Sequence, residues 1–288
     1  MTRIVCAQLA PRLGDLAGNQ ALTVAAVRRA ADGGARVVVL PELATSGYVF
    51  ETSEQARRVA VTPEHPLFAR WASAARGAVV VGGFCELGAD GHLYNSAAVV
   101  DRTGVLAVYR KTHLWDREKT VFTPGRDQPP VVRTQAGRIG VLICYDLEFP
   151  EMPRSMVLRG ADLIAAPVNW PLVPRPAGER APEIVLAMAA ARANRVFVAC
   201  CDRSGVERGV RWTEGTAVIS HEGWVLGEPD ADGVAAADID LELARDKSLT
   251  AHADLLADRR PEMYSALTSA TVHTGTVPHA CAWSPRSR

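Results

Sequence analysis

Apolar positions along this chain fall into short runs and never into one long stretch. The β-branched segments "RIVCAQLA", "RVVVL", "AVVVGGF", "SAAVV", "RIGVLIC", "DLIAAPV", "RVFVACC" and "TAVIS" are each bounded by turn formers. Short runs of this kind are the signature of strands buried in a layered sheet. Helix-period segments lie between several of them. In the first, Val24, Val27 and Ala31 share one helical face, Asn19 is placed to cap the start, and Gly33-Gly34 ends it. Further helices are predicted over 64–75, from about Pro150, and over 182–194, where Pro182 suits a first turn. Two hairpins interrupt the alternation, turning at Arg102 to Gly104 and at Glu222-Gly223. Helices alternating with hairpins in this way predict two packed mixed sheets clad by helices.

Composition narrows the function classes. With 48% hydrophobic and 22% charged residues over 288 positions, the chain has ordinary globular composition and enough apolar mass for a large core. Its 32 basic and 32 acidic side chains cancel, so no basic field is available to attract nucleic acid or an anionic membrane. No apolar run approaches the length of a membrane span, and "MTRIVCAQLAPRLGD" lacks a secretory signal pattern. A cytoplasmic protein is expected. Its six cysteines show no CxxC pair and no disulfide spacing, and adjacent Cys200 and Cys201 point to opposite faces of a strand. No zinc spacing, P-loop or dinucleotide fingerprint occurs, so no metal and no cofactor is expected. No internal repeat or linker is visible; a single domain over 1–271 is expected, with 272–288 as a tail that docks at an oligomer interface or stays loose.

Candidate chemistry sits at strand ends. Cys144 closes the run "RIGVLIC" and is followed at once by Asp146, Glu148 and Glu151, acids that favour the thiol over the reactive thiolate. Either Cys144 is inert core or its activation comes from elsewhere. Two other polar residues follow strands. Glu42, after "VVVLP", is either solvent-exposed or buried beside a partner, and burial would make it a usable base. Lys111, after "LAVYR", reads alone as a solvated lysine. Together the three supply a thiol, a carboxylate to take its proton, and an ammonium to hold developing negative charge. A Cys144–His113 dyad is the competing nucleophile reading, although neither residue sits in a papain-like or caspase-like context.

Those segments carry a resemblance. "PELATSGY", "YRKTHLW" and "GVLICYDLEFPE" closely match, in order, the three motif blocks of the nitrilase superfamily, the carbon-nitrogen hydrolases, and "YNSAAVVDRTG" and "DLLADRRPEMY" also look like family segments. The resemblance implies an α/β fold, a four-layer αββα sandwich of two mixed sheets flanked by helices, assembled as a homodimer or higher homo-oligomer. It also implies a Glu-Lys-Cys triad on Glu42, Lys111 and Cys144, with a second glutamate at Glu118 of "DREKTVFTPG". Family members often carry a glutamate where this chain has Ala193, a departure that bears on subfamily and not on the triad.

The implied reaction is hydrolysis of a small amide through a thioester. Glu42 takes the thiol proton, Cys144 attacks, Lys111 with the backbone N–H of Tyr145 holds the oxyanion, and Glu118 orients substrate or Lys111. Cys144-Tyr145-Asp146 resembles the amidase branches, and the segment resembles aminopentanamidase-type amidases; nitrilases in the strict sense place Cys-Trp-Glu there. Members acting on N-carbamoyl amino acids carry arginine where this chain has Glu148. An acid there favours a neutral or amine-bearing substrate, unless Glu148 only pairs with an arginine such as Arg154 or Arg203 or assists the triad. Trp170 and Tyr48 complete the expected substrate-contacting set. N-carbamoyl amine or amino acid hydrolysis and nitrile hydrolysis are alternatives within the superfamily. An idle binding protein and a soluble acyl transferase are alternatives of another class; fast iodoacetamide labelling at neutral pH would mark a poised thiolate.

Overall fold

A computed structural model describes residues 1–269 of the chain. The tail expected over 272–288 lies outside the described residues. Strands β1 (Thr2–Ala7), β2 (Val37–Val39), β3 (Val79–Leu87), β4 (Leu93–Asp101) and β5 (Gly104–Arg110) form one six-stranded sheet together with a late strand. Strands β6 (Val131–Thr134), β7 (Gly137–Val141), β8 (Leu163–Pro167) and β9 (Phe197–Cys201) build the second. A small ribbon, β10 (Val206–Glu207) and β11 (Val210–Arg211), precedes β12 (Ala217–Ile219) and β13 (Val225–Gly227), which extend the second sheet. The late strand β14 (Val234–Ile239) crosses back to the first, and β15 (Ser248–Thr250) pairs β16 (Ala253–Asp254). The orders are β14-β1-β2-β3-β4-β5 and β13-β12-β9-β8-β7-β6. In each sheet three central strands run parallel, β1-β2-β3 and β7-β8-β9, with antiparallel strands outside them.

Side-chain alternation explains the layering. Along β1 to β4, Ile4, Cys6, Val37, Val39, Val79, Val81, Ala97 and Val99 face the second sheet. Their neighbours Val5, Ala7, Val38, Val80, Ala98 and Val100 face outward, toward Val27 of helix α1 (Leu16–Asp32) and toward Leu67, Phe68 and Trp71. A strand whose side chains alternate faces must be covered on both sides when both sets are apolar. Between β2 and β3 come α2 (Ser53–Arg57) and α3 (Pro66–Ala74), the latter supplying that outer cover. The short α4 (Glu118–Val121) follows β5, while α5 (Glu151–Leu158) and α6 (Pro182–Asn194) cover the second sheet through Met156, Val157, Ile184, Ala187 and Ala191. The result is the four-layer αββα sandwich expected from the motifs.

Element boundaries mostly follow the sequence reading, and α6 spans the predicted residues. The start of α1 does not. Asp15 caps it by accepting from the Gly18 N–H at 2.9 Å, one turn before the expected Asn19, which is buried and exchanges two bonds with the Arg12 backbone at 2.7 and 2.8 Å. A buried amide that satisfies a neighbouring loop is spent on tertiary structure and leaves capping to the half-buried Asp15. Among the described residues no helix is long and apolar enough to cross a membrane.

Candidate active site

Carboxyl ends of strands from both sheets meet at one place. After β2 the chain passes Pro41 and turns at Leu43, whose φ of 47° is left-handed, leaving Glu42 on the inside of the bend. Gly83 of β3 is what lets that bend lie flat, since a Cβ there would come within 2.6 Å of Glu42 Cα and 2.5 Å of Leu43 N. The Asn169 amide donates to the Glu42 carbonyl at 2.8 Å and ties the bend to the end of β8. Lys111 leaves β5 with its N–H on the Asn95 carbonyl at 2.8 Å. Cys144 opens a 3-10 turn, Cys144–Glu148, with φ of 49°, a left-handed conformation that a non-glycine residue adopts only when its surroundings enforce it.

These side chains form a buried ionic cluster. Lys111 Nζ donates to Glu42 Oε1 and to Glu118 Oε1, both at 2.7 Å, and Asn95 also donates to Glu42 Oε1 at 2.7 Å. The other oxygen, Glu42 Oε2, is buried and has no hydrogen-bond partner among the described residues. Burial raises the Glu42 carboxyl to about 7, with Lys111 pulling it down and Glu118 pushing it up. Burial works against the Lys111 charge, but Glu118 and Glu42 outweigh it and hold the ammonium proton well above its usual range. The lysine holds its charge, and Glu42 keeps one oxygen without a hydrogen bond among the described residues.

The nucleophile itself is not a resting thiolate. Burial, joined by the Glu42 charge, pushes the Cys144 thiol well above its ordinary value despite Lys111. A thiol held protonated in this way needs a base at the moment of attack, the part that the sequence reading gives to Glu42. His113 is tied to Asp146. Its Nδ1 lies 2.8 Å from Asp146 Oδ1, its N–H donates to the same oxygen at 2.9 Å, and its ring stacks on Phe149 at 3.8 Å. Cys144 Sγ instead faces the Asn169 carbonyl at 3.9 Å. Among the described residues no hydrogen bond joins Cys144 to His113, so the geometry gives the competing dyad no support; Asp146, a buried acceptor, also takes the Tyr109 hydroxyl at 2.8 Å.

The remaining expected residues divide. Tyr48 donates its hydroxyl to Glu118 Oε1 at 2.6 Å and sets its ring edge against Trp212, 5.5 Å away. Trp170 is buried after β8, its N–H on Asp202 Oδ1 at 3.1 Å and its indole Nε1 without an acceptor among the described residues. Tyr145 and Phe149 are partly exposed and pack with Trp115 as an aromatic rim. Glu148, at the far end of the 3-10 turn, forms no ion pair among the described residues. Arg203 is held by Glu207 at 2.8 Å and Arg154 by the Ala193 and Leu255 carbonyls, so neither arginine neutralises it. Burial raises the Glu148 carboxyl, and Glu183 of α6 raises it further, with Lys111 acting the other way. Glu183 Oε2 is buried without a hydrogen-bond partner.

Asn95, Asn169 and Glu183 were not singled out by sequence reasoning, and Asp146 was noted only as an acid beside Cys144. Asn95 lay within the noted "YNSAAVV" segment and Asn169 beside Trp170, so position offered a signal for these two. Surface cavities of about 220 and 250 Å³ lie elsewhere, since neither lining includes Glu42, Lys111 or Cys144. Among the described residues no group of His, Cys, Asp or Glu is arranged to hold a metal ion.

Comparison with known proteins adds to the geometry. The profile of the family described as carbon-nitrogen hydrolase matches residues 3–247. A protein named nitrilase from Pyrococcus abyssi is 36% identical over 271 residues, covering 92% of this chain and 99% of its own length. N-carbamoylputrescine amidase of Arabidopsis thaliana is 32% identical over 277 residues, covering 88% of this chain and 91% of its own. A solved structure of a mutant amidase from Nesterenkonia sp. AN1, described as showing Michael addition of acrylamide at the active-site cysteine, superposes with a TM-score of 0.74 at 28% identity, covering 93% of this chain and 100% of that one.

Proposed function

The chain belongs to the carbon-nitrogen hydrolase family, and from that premise we propose that its cysteine-dependent amide hydrolysis runs on Glu42, Lys111 and Cys144. The observation that carries the assignment is the lysine shared by two carboxylates, with one Glu42 oxygen left unbonded. Glu42 takes the thiol proton as Cys144 Sγ attacks the amide carbon. Lys111 Nζ and the Tyr145 N–H, at the open amino end of the 3-10 turn, receive the oxyanion. Glu42 returns the proton to the departing ammonia, leaving a thioester, and then activates the water that cleaves it. Glu118 holds Lys111 in place throughout.

A pH profile tests this division of labour. Because Glu42 serves as base only when ionised, kcat/KM for ammonia release should fall tenfold per pH unit below about 7. A flat profile from pH 5 to 8 would remove Glu42 from the role.

The acyl side of the substrate is a finer question. Among the described residues Glu148 and Glu183 form no ion pair, an arrangement that supports an amide with a cationic amine tail over one with a carboxylate. Similarity to N-carbamoylputrescine amidase supports an N-carbamoyl amine as the second reading. Matched amides with cationic, neutral and anionic tails separate these readings from a carboxylate-specific site: the cationic member should lead by about tenfold in kcat/KM, roughly one ion pair's worth, and Glu148→Gln should erase the lead. Preference for the anionic tail would refute the acid-pair reading. We also propose that residues 1–271 act as one domain in the cytoplasm and pair with a second copy through α5 and α6; exposed Leu158, Val185 and Leu186 support that face.

A further inference from the structure

The loop that carries Tyr48 is anchored by the ribbon that follows β9. Glu207, in the β10–β11 ribbon, accepts the Tyr48 N–H at 2.8 Å and the Val49 N–H at 2.6 Å on Oε1. Its Oε2 accepts from Arg203 Nη1 at 2.8 Å, while Arg203 Nη2 reaches the Pro11 carbonyl at 2.7 Å. The Arg203 guanidinium lies 4.6 Å over the Trp212 ring, the same ring that meets Tyr48 edge-on. Both ionic partners are buried, Glu207 at 5% and Arg203 at 2% exposure. The loop fits here only because residue 47 is glycine: at φ of +80°, a Cβ would lie 2.5 Å from Leu13 Cα and 2.8 Å from Glu207 Oε2.

None of this touches the reacting groups directly. It ends, however, on the Tyr48 hydroxyl, which shares Glu118 Oε1 with Lys111 Nζ. We propose that Glu207 is a positioning residue for the catalytic lysine, acting through the Tyr48 backbone and hydroxyl on Glu118. By fixing two N–H groups at the root of Tyr48, Glu207 sets where the phenol meets Glu118, and that contact sets where Glu118 holds Lys111. An ion pair that served the fold alone would show no such dependence on the Tyr48 hydroxyl.

The inference rests on the Glu42-Lys111-Cys144 assignment, and a double-mutant cycle separates the two. Tyr48→Phe removes only the hydroxyl, and Glu207→Gln keeps an acceptor for the N–H groups while loosening the Arg203 anchor. Each single variant should lower kcat for ammonia release by about tenfold, with KM within about twofold. The double variant should be no slower than Tyr48→Phe alone, because both act along one path. The pH dependence of Cys144 alkylation by iodoacetamide, a readout needing no substrate, should shift alike in all three. Should Glu207→Gln not fold, the volume-matched pair Arg203→Met with Glu207→Leu takes its place in the cycle. Effects that multiply in the double variant, or a lowered melting temperature with kcat and the alkylation profile unchanged, would overturn the positioning role. Ammonia release by the parent enzyme tests the amidase reading independently of the cycle.

Discussion

Cys144→Ala should abolish ammonia release from every amide the parent enzyme hydrolyses, a loss on the order of 10⁴-fold or more. The size follows from chemistry. Lys111 and Glu42 can still bind and polarise an amide, but among the described residues no other cysteine lies in the turn that follows β7, and the thioester that divides the reaction into two easier steps cannot form. The fold should survive. Cys144 gives up only a long sulfur contact of 3.9 Å to the Asn169 carbonyl, and its left-handed backbone is enforced by the turn rather than by the thiol. Circular dichroism and the melting curve should match the parent. Turnover in Cys144→Ala above a hundredth of the parent rate would remove the thioester scheme.

Lys111→Met should damage both stability and rate. The ammonium is fully buried and sits between Glu42 and Glu118, so an apolar side chain leaves two carboxylates facing each other with their shared cation gone. Breaking a buried ionic group on one side costs about 3–5 kcal/mol in other proteins, because the charge left behind has no water to turn to. Glu42 answers by keeping a proton: its carboxyl, already at about 7 with Lys111 pulling downward, rises once that pull is removed. At neutral pH the base is then protonated and the oxyanion has lost its cation, so kcat should fall about 10³-fold. The residual activity should rise toward alkaline pH, beyond the parent's acid limb. Urea denaturation and initial rates across pH measure the two losses, with the exposed Lys119→Met as a control that changes neither.

Sequence legibility follows the range of the interactions. The strands, the two hairpins and the bounds of α6 leave a local trace, since burial on both faces requires β-branched runs and a helix requires its period. The strand-end placement of Glu42, Lys111 and Cys144 is equally local, and three such blocks in order point to one family. What the sequence cannot display is which buried polar group meets which. Asp146 reads as an acid beside the cysteine that ought to quiet it; in the structure it is spent on His113, Tyr109 and the Ile143 N–H, and holds the nucleophile's turn against the end of β5. Glu148 reads either as a substrate contact or as the partner of an arginine, and both candidate arginines are claimed elsewhere. Glu207 meets Tyr48 across 159 positions of chain, a separation that leaves no periodic signal. The Asn19 cap fails for the same reason in miniature, because Arg12 competes for its amide.

The acids around Cys144 thus have separable effects. Burial, joined by the Glu42 charge, keeps the resting thiol protonated, and in the proposed mechanism Glu42 removes that proton when substrate arrives, while Lys111 keeps its own charge because two carboxylates surround it. A protein that combines a protonated thiol, a base near neutrality and a permanent cation in one buried cluster is arranged to make charge during attack rather than to store it beforehand.

The most direct test of this account is rapid-quench mass spectrometry of the parent enzyme mixed with an amide it hydrolyses. The account predicts an adduct equal to the amide less ammonia, located on the peptide containing Cys144, released by hydroxylamine, and formed together with one equivalent of ammonia in the first turnover. Ammonia appearing in that turnover while Cys144 stays unmodified would contradict it.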